Sequence, residues 1–302
     1  MAETVELTFE SSGLLTTIQD QGRTGYSHLG VPSGGALDKA AARLANTLAG
    51  NDPGTPVLEI TIQGPKVRFD GGPCIISITG ADISPSLDQI PARLNAPLRV
   101  APGQLLSFGK LRSGCRAYVA VSGTWQVDSW LGSSSAFLQD PTNILSKQLI
   151  SKGQKLTISA PAGKIATPPA GISDVKGGLK PNQKVRVIPG PEYHQFSRQA
   201  IECFLKREHI ASNDCSRMGI RIEAPLDGVH IEHGLISSAV VPGTVQVTQS
   251  GHCVLLLGDA QTTGGYHRIA NVISADMDTL AQIKPGDSLR FDLLNIDQIR
   301  NI

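Results

Sequence analysis

The sequence predicts a mainly β protein: two β-barrel-like units with a few short helices. Glycine (32) and proline (19) punctuate short apolar or alternating runs along 302 residues. Such punctuation suits many short strands joined by turns. Two segment pairs recur roughly 180 residues apart, Pro102–Phe108 with Pro285–Phe291 and Cys74–Asp82 with Cys253–Asp259. The recurrence points to a duplicated β unit, and closed barrels leave no strand edges unpaired.

Each element has a local reason. Ala36–Leu48 sets Leu37, Ala40, Ala41, Leu44 and Leu48 on one helical face, and Gly50 is a stop signal. Val57–Gln63 reads as a strand ended by Gly64-Pro65, and Ala117–Val121 as one ended by Ser122-Gly123. Pro102-Gly103, Lys152-Gly153 and Pro285-Gly286 each open a turn into an alternating strand. The third copy, Lys152–Ile158, breaks the period and closes the first unit. A second unit opens with the strand Lys184–Ile188. Phe196–Lys206 is the second helix, and Cys253–Leu257 reads as a buried strand. The expected division is a first domain over 1–165, a Pro-, Gly- and Ala-rich linker over 166–182 and a second domain over 183–302.

Composition excludes several classes. The formal net charge is +1 with no basic block, so no nucleic-acid partner is expected. No run reaches the ~18 apolar residues of a membrane span. The N-terminus lacks the basic-then-apolar layout of a signal peptide, so a cytoplasmic protein is expected. The five cysteines form no C-x-x-C pair and read as reduced thiols. No metal is expected: His230 and His233 point to opposite faces of a strand, and no cluster completes a site.

Polar groups concentrate in a few segments. After the Cys253–Leu257 run the chain presents Gln261, Thr262, Thr263, Gly264, Gly265, Tyr266, His267 and Arg268. Glycines allow close backbone approach, and hydroxyls donate and accept, so this is a candidate small-molecule site. Asp20 and Arg23 pair with each other or hold the two ends of a zwitterion. Gly34-Gly35 precedes a helix start, where free amides hold anions. It is not a P-loop, because no Gly-Lys-Ser/Thr follows. Glu192 and His194 are a candidate base and neighbour. Arg217 is either a bidentate clamp for carboxylate or phosphate, or an ion-pair partner of Asp214 or Glu223. Gly132–Ser135 offers hydroxyls without a G-x-S-x-G elbow.

Seven motifs then occur in a telling order: Gln19-Asp20-x-Gly22-Arg23-x-Gly25-Tyr26, Gly34-Gly35-Ala36-Leu37-Asp38, Leu131-Gly132-Ser133-x-Ser135, Pro189-Gly190-Pro191, Arg217-Met218-Gly219, Val241–Val247 and Gln261–Tyr266. The series resembles the KipI antagonist family, also called allophanate hydrolase subunit 2, over about Leu14 to Phe291. That family is related to the carboxyltransferase part of urea carboxylase. Within it the likeness runs to the C-type components of bacterial three-component 5-oxoprolinases.

The resemblance implies two cyclophilin-like β-barrel domains. It implies two partner proteins, one KipI-like (the B component) and one LamB/YcsF-like (the A component). It implies lactam opening of 5-oxoproline to L-glutamate with ATP, and Mg, held by the complex. Asp20, Arg23 and Arg217 are the implied catalytic residues. Tyr26, Gln261, Thr262, Thr263, Gly264, Gly265 and Tyr266 are the implied substrate-binding residues. The alternatives are a regulatory KipI-binding protein, or the carboxyltransferase of a biotin-dependent urea or amide carboxylase. The chain departs from the family at Asp140–Leu149, at Val247-Thr248 and at Tyr266-His267.

Overall fold

The computed structural model describes residues 3–138, 145–160, 183–231 and 234–295. The 166–182 linker, the Asp140–Ile144 departure and His233 lie outside them. Two compact units emerge, Met1–Arg23 with Gly34–Gly178, and Thr24–Ser33 with Leu179–Ile302. The segment Thr24–Ser33, which the sequence leaves in the first domain, thus belongs with the second unit. One hydrogen bond allows the excursion: Ala36 N–H donates to the Asp20 carbonyl at 2.9 Å, closing the neck of the 21–35 loop.

In the first unit the strands are β1 (Glu3–Ser11), β2 (Leu15–Gln19), β3 (Val57–Thr61), β4 (Lys66–Gly71), β5 (Cys74–Asp82) and β6 (Pro85–Leu87). They continue with β7 (Ile90–Pro91), β8 (Pro97–Val100), β9 (Leu105–Phe108), β10 (Ser113–Val121), β11 (Thr124–Trp125) and β12 (Lys155–Ala160). Two sheets form, β11-β12-β1-β4-β9-β6-β7 and β2-β3-β10-β5-β8. Their apolar faces share one core. Val5, Leu7 and Phe9 alternate inward along β1 and meet Ile60, Ile76, Ile78 and Val119 from the other sheet. Helix α1 (Lys39–Ala49) packs its alanines on Tyr118 and Ala120 of β10. Asp38 caps it by accepting from Ala41 N, and Gly50 ends it in a left-handed conformation.

In the second unit the strands are β13 (Gln183–Pro189), β14 (His209–Cys215), β15 (Gly219–Ile222), β16 (Ser238–Ala239) and β17 (Thr244–Val247). Then come β18 (Cys253–Leu256), β19 (Thr263–Gly264), β20 (His267–Val272) and β21 (Ser288–Leu293). The helices are α2 (Arg198–Lys206) and α3 (Met277–Ala281). Seven strands close a barrel in the order β13-β20-β17-β18-β15-β14-β21, and β16 pairs with β19 beside it. The mainly β class therefore holds with closure in the second unit, whereas the first unit has two sheets. The first and last strands pair in both units, but in opposite senses. β1 pairs with β12 antiparallel, whereas β13 pairs with β21 in parallel. No helix among the described residues is long and apolar enough to cross a membrane.

Candidate functional site

The polar motifs fall into two kinds of environment. In the first unit, Asp20 follows the end of β2 and is buried. Its Oδ1 accepts from Gly22 N at 2.7 Å and from the Ser133 and Ser135 hydroxyls at 2.6 Å each. Its Oδ2 accepts from Ser134 N at 2.6 Å. Three of the four donors converge on Oδ1 and one reaches Oδ2, so Oδ2 keeps acceptor capacity. Asp20 ties the 20–22 turn to the 133–135 loop. Arg23, 2% exposed, donates from Nη2 to the Ser135 carbonyl at 2.5 Å. Its guanidinium lies 5.6 Å from the centroid of Trp130, which stacks on Phe137. The Asp20 and Leu131–Ser135 motifs are thus one closed cluster, assembled by residues far apart in sequence.

The amides that follow the Gly34-Gly35 turn already have partners within the chain. Leu37 N donates to Glu59 Oε2 at 2.9 Å, and Asp38 N donates to the Tyr118 hydroxyl at 2.8 Å. Tyr118 in turn donates to Glu59 at 2.8 Å. The anion at this helix start is the chain's own buried Glu59. Burial first, then Glu59 and Asp38, push the Tyr118 hydroxyl well above the usual phenol range. Gly35 is required here: its φ is +86°, and a Cβ would sit 2.8 Å from the Gly22 nitrogen.

In the second unit, Arg217 is 2% exposed and pairs with Asp259 through Nε–Oδ2 at 2.8 Å and Nη2–Oδ1 at 2.9 Å. The partner is neither Asp214 nor Glu223. β15 pairs with β18, and that pairing brings the two strand ends, and with them Arg217 and Asp259, together. Glu192 is committed likewise. Its Oε2 accepts from Arg268 Nε at 2.8 Å and from Arg268 N at 3.1 Å. The Arg268 hydrogen bond holds the Glu192 carboxyl below the usual range, which suits an ion pair and not a general base. His194 is exposed.

The segment Gln261–Tyr266 is the open counterpart. Gln261 and Thr263 are exposed, Thr262, Gly264 and Gly265 are half-buried, and Tyr266 is 47% exposed. The two glycines serve close packing. A Cβ on Gly264 would lie 2.5 Å from the Gln246 Nε2, and one on Gly265 would lie 2.9 Å from the Leu235 carbonyl. Gln246, buried beneath β19, accepts from Gln261 Nε2 at 3.4 Å, while its own Nε2 has no hydrogen-bond partner. Beside this edge lies a cavity of about 520 Å3 lined by Gln195, Phe196, His230, Leu235 and His267, among others. The His267 imidazole meets the Phe196 ring edge-on, with centroids 6.1 Å apart.

The structure thus brings Asp20 together with Arg23, and Gln261 through Tyr266 with one another. Arg217 is paired with Asp259, two residues before the open edge begins at Gln261. Tyr26 is half-buried within Thr24–Ser33, its carbonyl accepting from Leu29 N at 2.9 Å. Gln246, Phe196 and Asp259 had no role assigned from sequence. Gln246 stood inside the Val241–Val247 motif, and its polar side chain in an apolar strand was the available signal. Among the described residues no group of histidine, cysteine and carboxylate side chains could hold a metal ion.

A family model described as the carboxyltransferase domain, subdomain A and B, matches residues 29–293. The 5-oxoprolinase C subunit of Escherichia coli (strain K12) is 37% identical over 289 residues, covering 95% of this chain and 91% of that protein. Urea amidolyase of Lachancea kluyveri is 31% identical over 310 residues, covering 93% of this chain but 16% of that protein. Among solved structures, TTHA0988 superposes with a TM-score of 0.82 at 28% identity over 95% of this chain. The chain spans only 55% of TTHA0988's length.

Proposed function

The chain belongs to the carboxyltransferase domain family, subdomain A and B, and on that premise we propose that it acts as the C-type subunit of an ATP-dependent 5-oxoprolinase. The near end-to-end match to the Escherichia coli 5-oxoprolinase C subunit, 95% of one chain on 91% of the other, carries the reading. The urea amidolyase match covers only 16% of a much longer protein. The proposed partners are two further proteins, one KipI-like and one LamB/YcsF-like.

A lactam amide is unreactive. Transfer of the γ-phosphoryl group of ATP to its carbonyl oxygen, with ADP leaving, activates the carbonyl carbon; water adds there and the ring C–N bond breaks to give γ-glutamyl phosphate, and a second water releases phosphate and leaves glutamate. The residues here do not fit the nucleotide's phosphates at the Gly34-Gly35 turn, because Ala36, Leu37 and Asp38 already donate within the chain. ATP and Mg are expected to be held by the complex, at a place other than this turn. The open edge Gln261–Tyr266 and its cavity are left to this chain as the substrate surface, with Thr262 and Thr263 as hydroxyl donors. A cytoplasmic setting fits five free cysteines, of which burial pushes Cys74 and Cys253 up to about 12.

The test is ATP-dependent glutamate release from 5-oxoproline by the purified chain, alone and with both partners. Activity in the full mixture and none from the chain alone is expected. An inactive full mixture that instead carboxylates urea with a biotinyl carrier protein would replace this reading with the carboxyltransferase one, which the urea amidolyase similarity supports.

A further inference from the structure

We propose that the buried Arg217–Asp259 pair is a positioning device: it sets the direction in which the chain leaves β18, and so fixes where Gln261, Thr262 and Thr263 present their polar groups. Arg217 then acts through Asp259, as a positioning residue and not a catalytic one. The kinetic readout below rests on the function proposed above. The role of the pair rests on its own geometry.

The pair stands at the root of the edge. Arg217 lies in the turn between β14 and β15, and Asp259 lies three residues beyond the end of β18. The same turn holds the departing backbone. Leu257 N donates to the Met218 carbonyl at 2.9 Å, and Asp259 N donates to the Arg217 carbonyl at 3.1 Å. With the Nε–Oδ2 and Nη2–Oδ1 bonds, Asp259 is gripped at its backbone and at both carboxylate oxygens. A guanidinium fork that meets both oxygens fixes the plane of the carboxylate as well as its distance. The next residues are placed in turn. Ala260 packs with Val240 and Leu256. The Gln261 side chain donates to Gln246 Oε1 at 3.4 Å. The Thr262 carbonyl accepts from Val240 N at 3.0 Å.

The edge needs such an anchor. β16 and β19 form a two-stranded sheet of two residues each, beside the barrel ladder. A two-stranded ribbon is at best marginally stable in water, so what holds its ends sets its place. Downstream, β20 rejoins the barrel and Arg268 pairs with Glu192. Upstream, the hold is Asp259. The upstream pair is the more deeply buried, with side chains 1% and 5% exposed against 15% and 10% downstream. Desolvation offsets much of the attraction in a buried pair, so stability alone is a weak reason for one. Direction is a stronger reason here, because the ribbon has little clearance. A Cβ on Gly264 would lie 2.5 Å from Gln246 Nε2, so the edge has no room to slide toward the barrel.

Arg217→Lys keeps the charge and loses the fork. In the full-length chain, hydrogen exchange at Val240 and in the β16–β19 ribbon is expected to quicken about tenfold, the worth of one charge-assisted hydrogen bond, while β17 and β20 keep their protection. In the reconstituted complex KM for 5-oxoproline is expected to rise about tenfold. A variant that merely loses stability leaves fewer active molecules, which lowers the apparent kcat and leaves KM alone. In a Gln261→Ala background the same substitution is expected to raise KM by less, because both changes act through one edge. Asp259→Asn, of nearly equal shape, serves if Arg217→Lys does not fold, with the same expectations. Unchanged exchange in the ribbon of a folded variant would overturn the inference, and a loss of kcat beside it would make Arg217 catalytic. Strict additivity with Gln261→Ala would also overturn it. If the parent complex is inactive, the proposed function falls and the exchange result alone decides the inference.

Discussion

The Asp20 cluster and the Gln261–His267 edge are built from the same kinds of residue, and the fold treats them oppositely. Both follow a strand, and both combine glycines, hydroxyls and charged groups. At Asp20 the carboxylate accepts from Gly22, Ser133, Ser134 and Ser135, all within the chain. At the second edge Gln261 and Thr263 face outward, and the Gln246 amide beneath them keeps an unused donor. A dense polar motif therefore marks either a structural knot or a binding surface. What distinguishes them is whether the rest of the chain supplies the partners.

The sharpest way to break this comparison is to remove one partner of a filled pair. Asp259→Ala leaves the Arg217 guanidinium buried without its carboxylate. A loss of about 3–5 kcal/mol in urea unfolding is expected, and a loss under about 1 kcal/mol would show that Arg217 is not committed to structure. Asp20→Asn replaces one filled oxygen by a donor facing donors. Its expected cost is about 2–4 kcal/mol, read as a fall in Tm. Gly35→Ala strains a φ of +86° and meets backbone at 2.8 Å. It should cost about 1–3 kcal/mol, again by chemical unfolding.

A smaller effect separates the units by pH. His209 in β14 is buried against Phe204 and Phe291, and burial lowers its pKa. The unfolded chain then binds the proton more readily than the folded one. This contribution is intact above the ordinary imidazole value of about 6.5 and is lost progressively as pH falls below it. Second-unit stability, followed by hydrogen exchange at β14 and β21, should decline across that window, and His209→Phe should flatten the decline. Smallest of all is Thr263→Val on the open edge. Its stability should stay within about 0.5 kcal/mol of the parent, while glutamate release by the reconstituted complex falls. Full activity of that variant would remove Thr263 from the substrate surface.

Periodicity and turn residues were enough to find the two longer helices and eight of the strands. The run of alanines and leucines after Asp38 became α1, with the expected glycine stop. The turns at Pro102-Gly103, Lys152-Gly153 and Pro285-Gly286 led into β9, β12 and β21. The seven ordered motifs carried the family. The roles of individual motif residues were not legible in the same way. Arg217 has Asp214 and Glu223 near it in sequence, yet it pairs with Asp259 across a strand ladder. The Gly34-Gly35 helix start looks open until Glu59 and Tyr118 arrive from two other strands.

By itself, then, the sequence determined the β class, the positions of the longer helices and of several strands, and the family. These depend on spacing, capping and backbone freedom within a few residues. Tertiary structure alone decided which polar motifs are consumed and which remain open, and that the second unit closes its barrel. Hydrogen-bond partners and strand neighbours are chosen by packing between residues far apart in the chain, where local chemistry has no reach.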